Sequence, residues 1–161
     1  MKLIVIVAIL AVLGVGTADS TVTNASQRVG QYNVSFSIPG ERNFIYEITE
    51  PKSFAGSGQF AGMTGTSCGL KATDRNTEEY LLVIIAKYDD PIAQAAYEIF
   101  TDSKTPDWIA TNPNYGRVRI YYNIISQYSA YVVIDKYTMA SLRSDMSRPA
   151  FQKIAESLHI D

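Results

Sequence analysis

The chain has 161 residues with 14 Lys and Arg against 16 Asp and Glu, a net charge of −2, one His and one Cys. That length supports one core and a single domain. The scattered basic residues exclude the clustered cationic surface that a phosphate backbone requires, so nucleic acid is not an expected partner, and a solitary cysteine excludes an intramolecular disulfide.

The first element is an export signal. Lys2 gives a minimal positive start, and Leu3 to Val15 is an unbroken apolar or glycine run of 13 residues, short of the roughly 20 that a transmembrane helix needs. Gly16 and Ala18 place small side chains before a cut ahead of Asp19. Residues 1–18 are therefore read as a signal peptide, with no permanent membrane span after cleavage and a secreted or cell-surface location. Cleavage removes Lys2 and leaves 13 basic against 16 acidic residues.

Residues 19–30 are rich in Ser, Thr, Asn and Gly and read as a polar arm, with the single domain covering 31–160. Within Tyr32 to Ile38, Tyr32, Val34, Phe36 and Ile38 alternate with Asn33, Ser35 and Ser37, the period of a half-buried strand. Phe44, Tyr46 and Ile48 repeat the alternation after Pro39 and Gly40, which predicts a hairpin between the two runs.

Five of the ten glycines lie between Ala55 and Gly69, and this stretch is expected to be a mobile loop. Gly56, Gly58 and Ala61 match the spacing of a dinucleotide fingerprint, but no helix follows to receive a pyrophosphate, so no cofactor is assigned. Leu70 to Thr73 suggests a short strand. Glu79 to Tyr88 is almost continuously apolar and reads as a central strand buried on both faces. Asp90 and Pro91 then fit the cap and first position of a helix carrying Ile92, Ala95, Ala96, Ile99 and Phe100 on one side. Two strands follow, over Arg117 to Tyr122 and Ala130 to Lys136. A final helix is expected over Pro149 to Ile160, with Phe151, Ile154, Ala155 and Leu158 on its apolar stripe. The predicted fold class is α+β, a mainly antiparallel sheet of five to six strands with two principal helices packed on it.

The segments GQYNVSFSIPG, EITEP, EYLLVIIAKYDDPIAQA and FQKIAESLHI resemble small secreted single-domain proteins of methanogenic archaea, across most of residues 30 to 160. That resemblance implies a structural kinship and no assigned activity. The order of elements is more weakly similar to PsbP-like domains, which implies a non-catalytic accessory or binding module.

The inventory of reactive groups points the same way. His159 is the only histidine and would have to be the base of any Ser-His or Cys-His mechanism; in a terminal helical turn it reads as a surface group. One His and one Cys do not complete a zinc site, and Asp89 and Asp90, with Asp102 or Asp107, are read as helix-end and loop carboxylates, so no metal is assigned. Cys68 reads as a small buried hydrophobe, with a reactive or intermolecularly paired thiol as the alternative. Tyrosine is abundant, 11 in the chain, chiefly as cross-strand packing. Trp108 and Tyr115 are the candidate contacts for a ligand or partner, because exposed rings supply contact area at low entropic cost. Asn24-Ala25-Ser26 and Asn33-Val34-Ser35 match the N-glycosylation pattern, which makes Asn24 and Asn33 modification candidates. The expected function is a non-enzymatic surface module that binds a protein or glycan through loops. Alternatives are a structural subunit of a surface layer or sheath, in which strand edges pair and Cys68 cross-links copies, and an extracellular hydrolase using carboxylates.

Overall fold

A computed structural model describes residues 21–92, 106–123 and 125–161, apart from the side chain of Gln59. Residues 1–18, read as a signal peptide, and most of the helix expected after Pro91, including Ala95, Ala96, Ile99 and Phe100, lie outside the described residues. Among those described, 60% are in strands and 10% in helix. The chain is therefore mostly β, which corrects the expected α+β class with two principal helices.

Ten strands form two sheets. The smaller has the order β1-β2-β10, from β1 (Val22–Val29), β2 (Tyr32–Pro39) and β10 (His159–Ile160). The larger has the order β3-β4-β5-β9-β8-β7-β6, from β3 (Phe44–Ala55), β4 (Thr64–Asp74), β5 (Tyr80–Tyr88), β6 (Trp108–Asn112), β7 (Gly116–Tyr122), β8 (Tyr128–Val133) and β9 (Thr138–Ser144). Each neighbouring pair is antiparallel. Among the described residues one α-helix, α1 (Arg148–Ser157), packs against β2, β6 and β8.

The small sheet and α1 cover one face of the large sheet, here the inner face. Ala25, Val29, Val34, Phe36 and Ile38 from the small sheet share one buried cluster with Leu70, Leu81, Val83, Ile85, Ile120 and Leu142 from the large one and with Phe151 and Ile154 from α1. Each large aliphatic or aromatic side chain fully buried there contributes about 1.5–3 kcal/mol. Ser157 joins helix to sheet: its hydroxyl accepts from the Ser37 amide at 2.8 Å and donates to the Lys153 carbonyl at 2.7 Å.

The alternation read over Tyr32 to Ile38 is present, with Val34, Phe36 and Ile38 buried. Its partner differs from the expected one. Residues 22–29, expected to be a polar arm, form β1 and pair with β2 from Val22↔Pro39 to Val29↔Tyr32. Only Ala25 and Val29 of β1 enter the core; an edge strand draws its remaining stability from backbone hydrogen bonds, which polar side chains do not oppose. Gly30, with φ of 60°, takes the first position of the two-residue turn, where a Cβ would press on Pro51 at 3.1 Å. The predicted hairpin between β2 and the Phe44 to Ile48 run does not form: β3 crosses to the other sheet and pairs with β4.

The expected glycine loop is also largely strand. Only residues 56–63 connect β3 to β4, with a short 3-10 turn at Gly58–Phe60, while Gly65 and Gly69 lie in β4. Gly65 is required there because a Cβ would collide with the Lys87 carbonyl of the neighbouring strand. β5 is buried along one face and only in part on the other: Leu81, Val83 and Ile85 face the core, whereas on the opposite side Ile84 is 38% exposed and Tyr88 is buried with Met139. The second helix begins at Arg148 and stops at Ser157; beyond it the chain returns to strand as β10.

Candidate functional site

The two residues singled out as contacts serve the core boundary and do not meet. Trp108 opens β6, and its ring is covered by the Arg148 guanidinium at 4.5 Å and met edge-on by Tyr128 at 5.1 Å. Tyr128 in turn stacks on Phe151 and lies 4.7 Å from Tyr122, closing an aromatic box between three strands and α1. Tyr115 sits in the β6–β7 loop at the far end of that hairpin. Its hydroxyl accepts from the Ile160 amide at 2.8 Å and lies 3.2 Å from the Ile160 carbonyl, to which it donates, pinning β10.

Asn112 completes this clasp. Buried at 1% exposure, it donates through Nδ2 to the carbonyls of Ala155 at 2.8 Å and Leu158 at 2.9 Å. Its Oδ1 accepts the amides of Asn114 and Tyr115. All four hydrogen-bonding positions of the side chain are thus used on backbone.

The titratable groups are likewise engaged. Arg42 binds Asp74 at 3.0 Å and Glu79 at 2.8 Å through the same nitrogen. Burial of Asp74 opposes its charge, but the amides of Asn76 and Asn43 and the Arg42 guanidinium outweigh it and hold the carboxyl below the usual carboxylate range. Asp89 accepts from the Thr64 hydroxyl, and Asp107 from the Tyr122 amide; Asp102 lies outside the described residues. No group of three or more His, Cys, Asp or Glu that could hold a metal occurs among the described residues. His159 stands opposite Ser35 in the small sheet and 3.6 Å from Asp161. The three match a Ser-His-Asp set in composition, but His159 and Asp161 are both about half exposed and their separation exceeds a hydrogen bond. Cys68 is buried, donates to the Val29 carbonyl at 3.6 Å, and has its thiol pKa pushed up by burial first and by Glu50 second.

The outer face of the large sheet is different in character. Cross-strand register sets one row as Glu47, Lys71, Leu82, Arg143, Ser129 and Tyr121, and the next as Thr49, Gly69, Ile84, Ser141 and Tyr131. Arg117 and Arg119 continue the outward side of β7, opposite Thr111 and Ile109. Lys52, Lys71, Arg117, Arg119 and Arg143 thus occupy outward strand positions against the single carboxylate of Glu47, itself 3.7 Å from Lys71. Between these positions, which run from β3 to β7 across the sheet, lies a groove of about 250 Å³, floored by Ile84, Ala86, Ser67 and Ser141 and walled by Phe54, Phe60, Tyr88, Tyr131 and Met139. Phe60 stacks on Tyr88 at 5.3 Å and Phe54 meets it edge-on at 5.1 Å.

In the sequence Arg117 and Arg119 alternate with Val118 and Ile120, but nothing local connects them to Arg143 or to the groove. The available signal was the second face of β5, where Leu82, Ile84, Ala86 and Tyr88 form their own stripe. Comparison with known protein families, characterised proteins and solved structures gives no match.

Proposed function

We propose that the protein is an exported, non-enzymatic module that binds an acidic glycan of the cell surface on the outer face of its seven-stranded sheet. The observation that carries the reading is the presence, on one face of the sheet, of Arg117, Arg119 and Arg143 together with a groove walled by Tyr88, Tyr131 and Phe54. Guanidinium groups suit carboxylates because their planar donors bind both oxygens at once. Aromatic rings supply rigid apolar contact to sugar faces at small entropic cost.

The two alternatives draw less support. A hydrolase acid needs a raised carboxyl pKa, whereas Asp74, the most buried carboxyl among the described residues, has a lowered one and is tied with Glu79 to Arg42. A sheath subunit that pairs copies edge to edge needs a flat edge, whereas β3 is broken between Thr49 and Lys52 and carries Pro51 there.

The test is affinity chromatography of the leader-free chain on immobilised acidic polysaccharides against neutral ones, with Arg119→Gln/Arg143→Gln and Tyr131→Ala as variants. Retention on the acidic matrix alone, weakened at least tenfold by either variant and by 0.5 M salt (about a 4 Å screening length), is expected. Equal behaviour of the variants and the parent would refute the assignment of the face.

A further inference from the structure

We infer that Asn24 and Asn33 are both N-glycosylated, so that the outer face of the small sheet carries two oligosaccharides on the side of the molecule opposite the binding face. The inference rests on the export reading of residues 1–18 and is independent of the ligand assigned to the large sheet.

Each Asn-x-Ser triplet lies in a strand, and the two-residue period puts its Asn and Ser on the same side. In β1 that side holds Asn24, Ser26 and Arg28, while Ala25 and Val29 turn to the core. In β2 it holds Asn33, Ser35 and Ser37, while Val34, Phe36 and Ile38 turn inward. The register Asn24↔Ser37 and Arg28↔Asn33 makes this one continuous face, and both asparagines are exposed on it. Strand pairing therefore leaves Asn33 open, because it consumes only the backbone, whose amide and carbonyl pair with Asp161 at 2.8 and 3.2 Å.

The chemistry asks for a free amide nitrogen at each site. Asn24 is held through Oδ1, which accepts the Ser37 hydroxyl at 2.7 Å and remains an acceptor after modification at Nδ2. A shallow depression lined by Asn24, Ser26, Ser35, Ser37 and Ser157 adjoins it and offers hydroxyls to the first sugar. In the transfer, Nδ2 attacks the anomeric carbon of a polyprenyl-phosphate-linked oligosaccharide supplied by the exporting membrane. The N–C bond forms, the C–O bond to phosphate breaks, the polyprenyl phosphate leaves, and the amide proton passes to base. The acceptor strand must be unpaired while this happens, so transfer precedes formation of the β1–β2 hairpin, and the finished hairpin then projects both glycans to solvent. The sites stand on adjacent strands about 13 Å apart along them, four residues at roughly 3.3 Å each.

Intact mass of the protein purified from its native source tests this, with Ser26→Ala and Ser35→Ala as variants, since they break each motif without touching the Asn24–Ser37 bond. Two oligosaccharide increments are expected, one lost in each variant and both in the double variant, with the urea midpoint of the deglycosylated chain unchanged. A leader-free chain at its bare mass overturns the inference while leaving export intact. A bare chain retaining residues 1–18 overturns export and the inference together. One increment overturns it for the site that stays bare.

Discussion

Replacing Asn112 by alanine should be among the most damaging single changes in this domain, although the residue touches no proposed ligand. The side chain is 1% exposed and makes four hydrogen bonds, two to the Ala155 and Leu158 carbonyls at the end of α1 and two from the amides of the following loop. Alanine removes all four at once. The loop amides of exposed Asn114 and half-buried Tyr115 recover water, whereas the Ala155 carbonyl loses its side-chain donor and the Leu158 carbonyl keeps only the long 3.5 Å contact from Asn114 Nδ2, at about 1–3 kcal/mol for each group so deprived. The sum, about 2–6 kcal/mol, is a large share of the roughly 5–15 kcal/mol that separates native and unfolded states in a domain. Urea unfolding followed by emission of Trp108, the only tryptophan in the chain, reads it directly, and a loss of about 8–15 °C in Tm should accompany it. Asn112→Asp sharpens the test. Its carboxylate would set an oxygen where Nδ2 now donates to two carbonyls, so its pKa must rise in the folded state. A raised folded pKa on an acid means that the deficit is largest when the group is ionised and shrinks as pH falls and the carboxyl regains a proton to donate. A cost below about 1 kcal/mol for Asn112→Ala, or a pH-independent deficit for Asn112→Asp, would refute the account of this clasp.

Two further outcomes follow from the engaged groups. Asp74 has a folded pKa below its unfolded value of about 3.9, so its contribution is present above that pH and is lost as pH falls through the lower folded value; urea midpoints should drop on acidification below about pH 4, and Asp74→Asn, destabilised at neutral pH, should lose that part of the slope. Cys68, buried and with its thiol pKa pushed up, should resist iodoacetamide at neutral pH in the native state and react fully in urea, with no disulfide-linked dimer on non-reducing gels; rapid native alkylation would contradict its burial.

The strands that sequence made legible are those with one face in the core. Tyr32 to Ile38 shows every second residue apolar because its other face is solvated, and Arg117 to Tyr122 behaves likewise. β1 was hidden because an edge strand needs few apolar side chains, and only Ala25 and Val29 mark its buried side. β9 was hidden for another reason: its inward row includes Thr138 and Ser144, buried polar residues, and Ser144 is satisfied by donating its hydroxyl to the Tyr80 carbonyl at 2.6 Å. Partner choice was the harder question. Phe44 to Ile48 has the pattern of a hairpin mate for β2, yet local alternation says nothing about which sheet will receive a strand. The same limit applied to the site. Arg119, Arg143 and Tyr131 are far apart in the chain and become neighbours only through the order β9-β8-β7, while Trp108 and Tyr115, conspicuous by composition, are consumed by packing.

The pairing of Asn33 with Asp161 and of Val34 with Ile160 has a bearing on how the chain comes to be folded during synthesis. The third strand of the small sheet lies more than 120 residues after the first two, so the β1–β2 hairpin waits for almost the whole polypeptide before its second edge is closed. Such long-range closure is entropically slow. A nascent chain with this topology leaves its small sheet incompletely paired until residues 159–161 emerge.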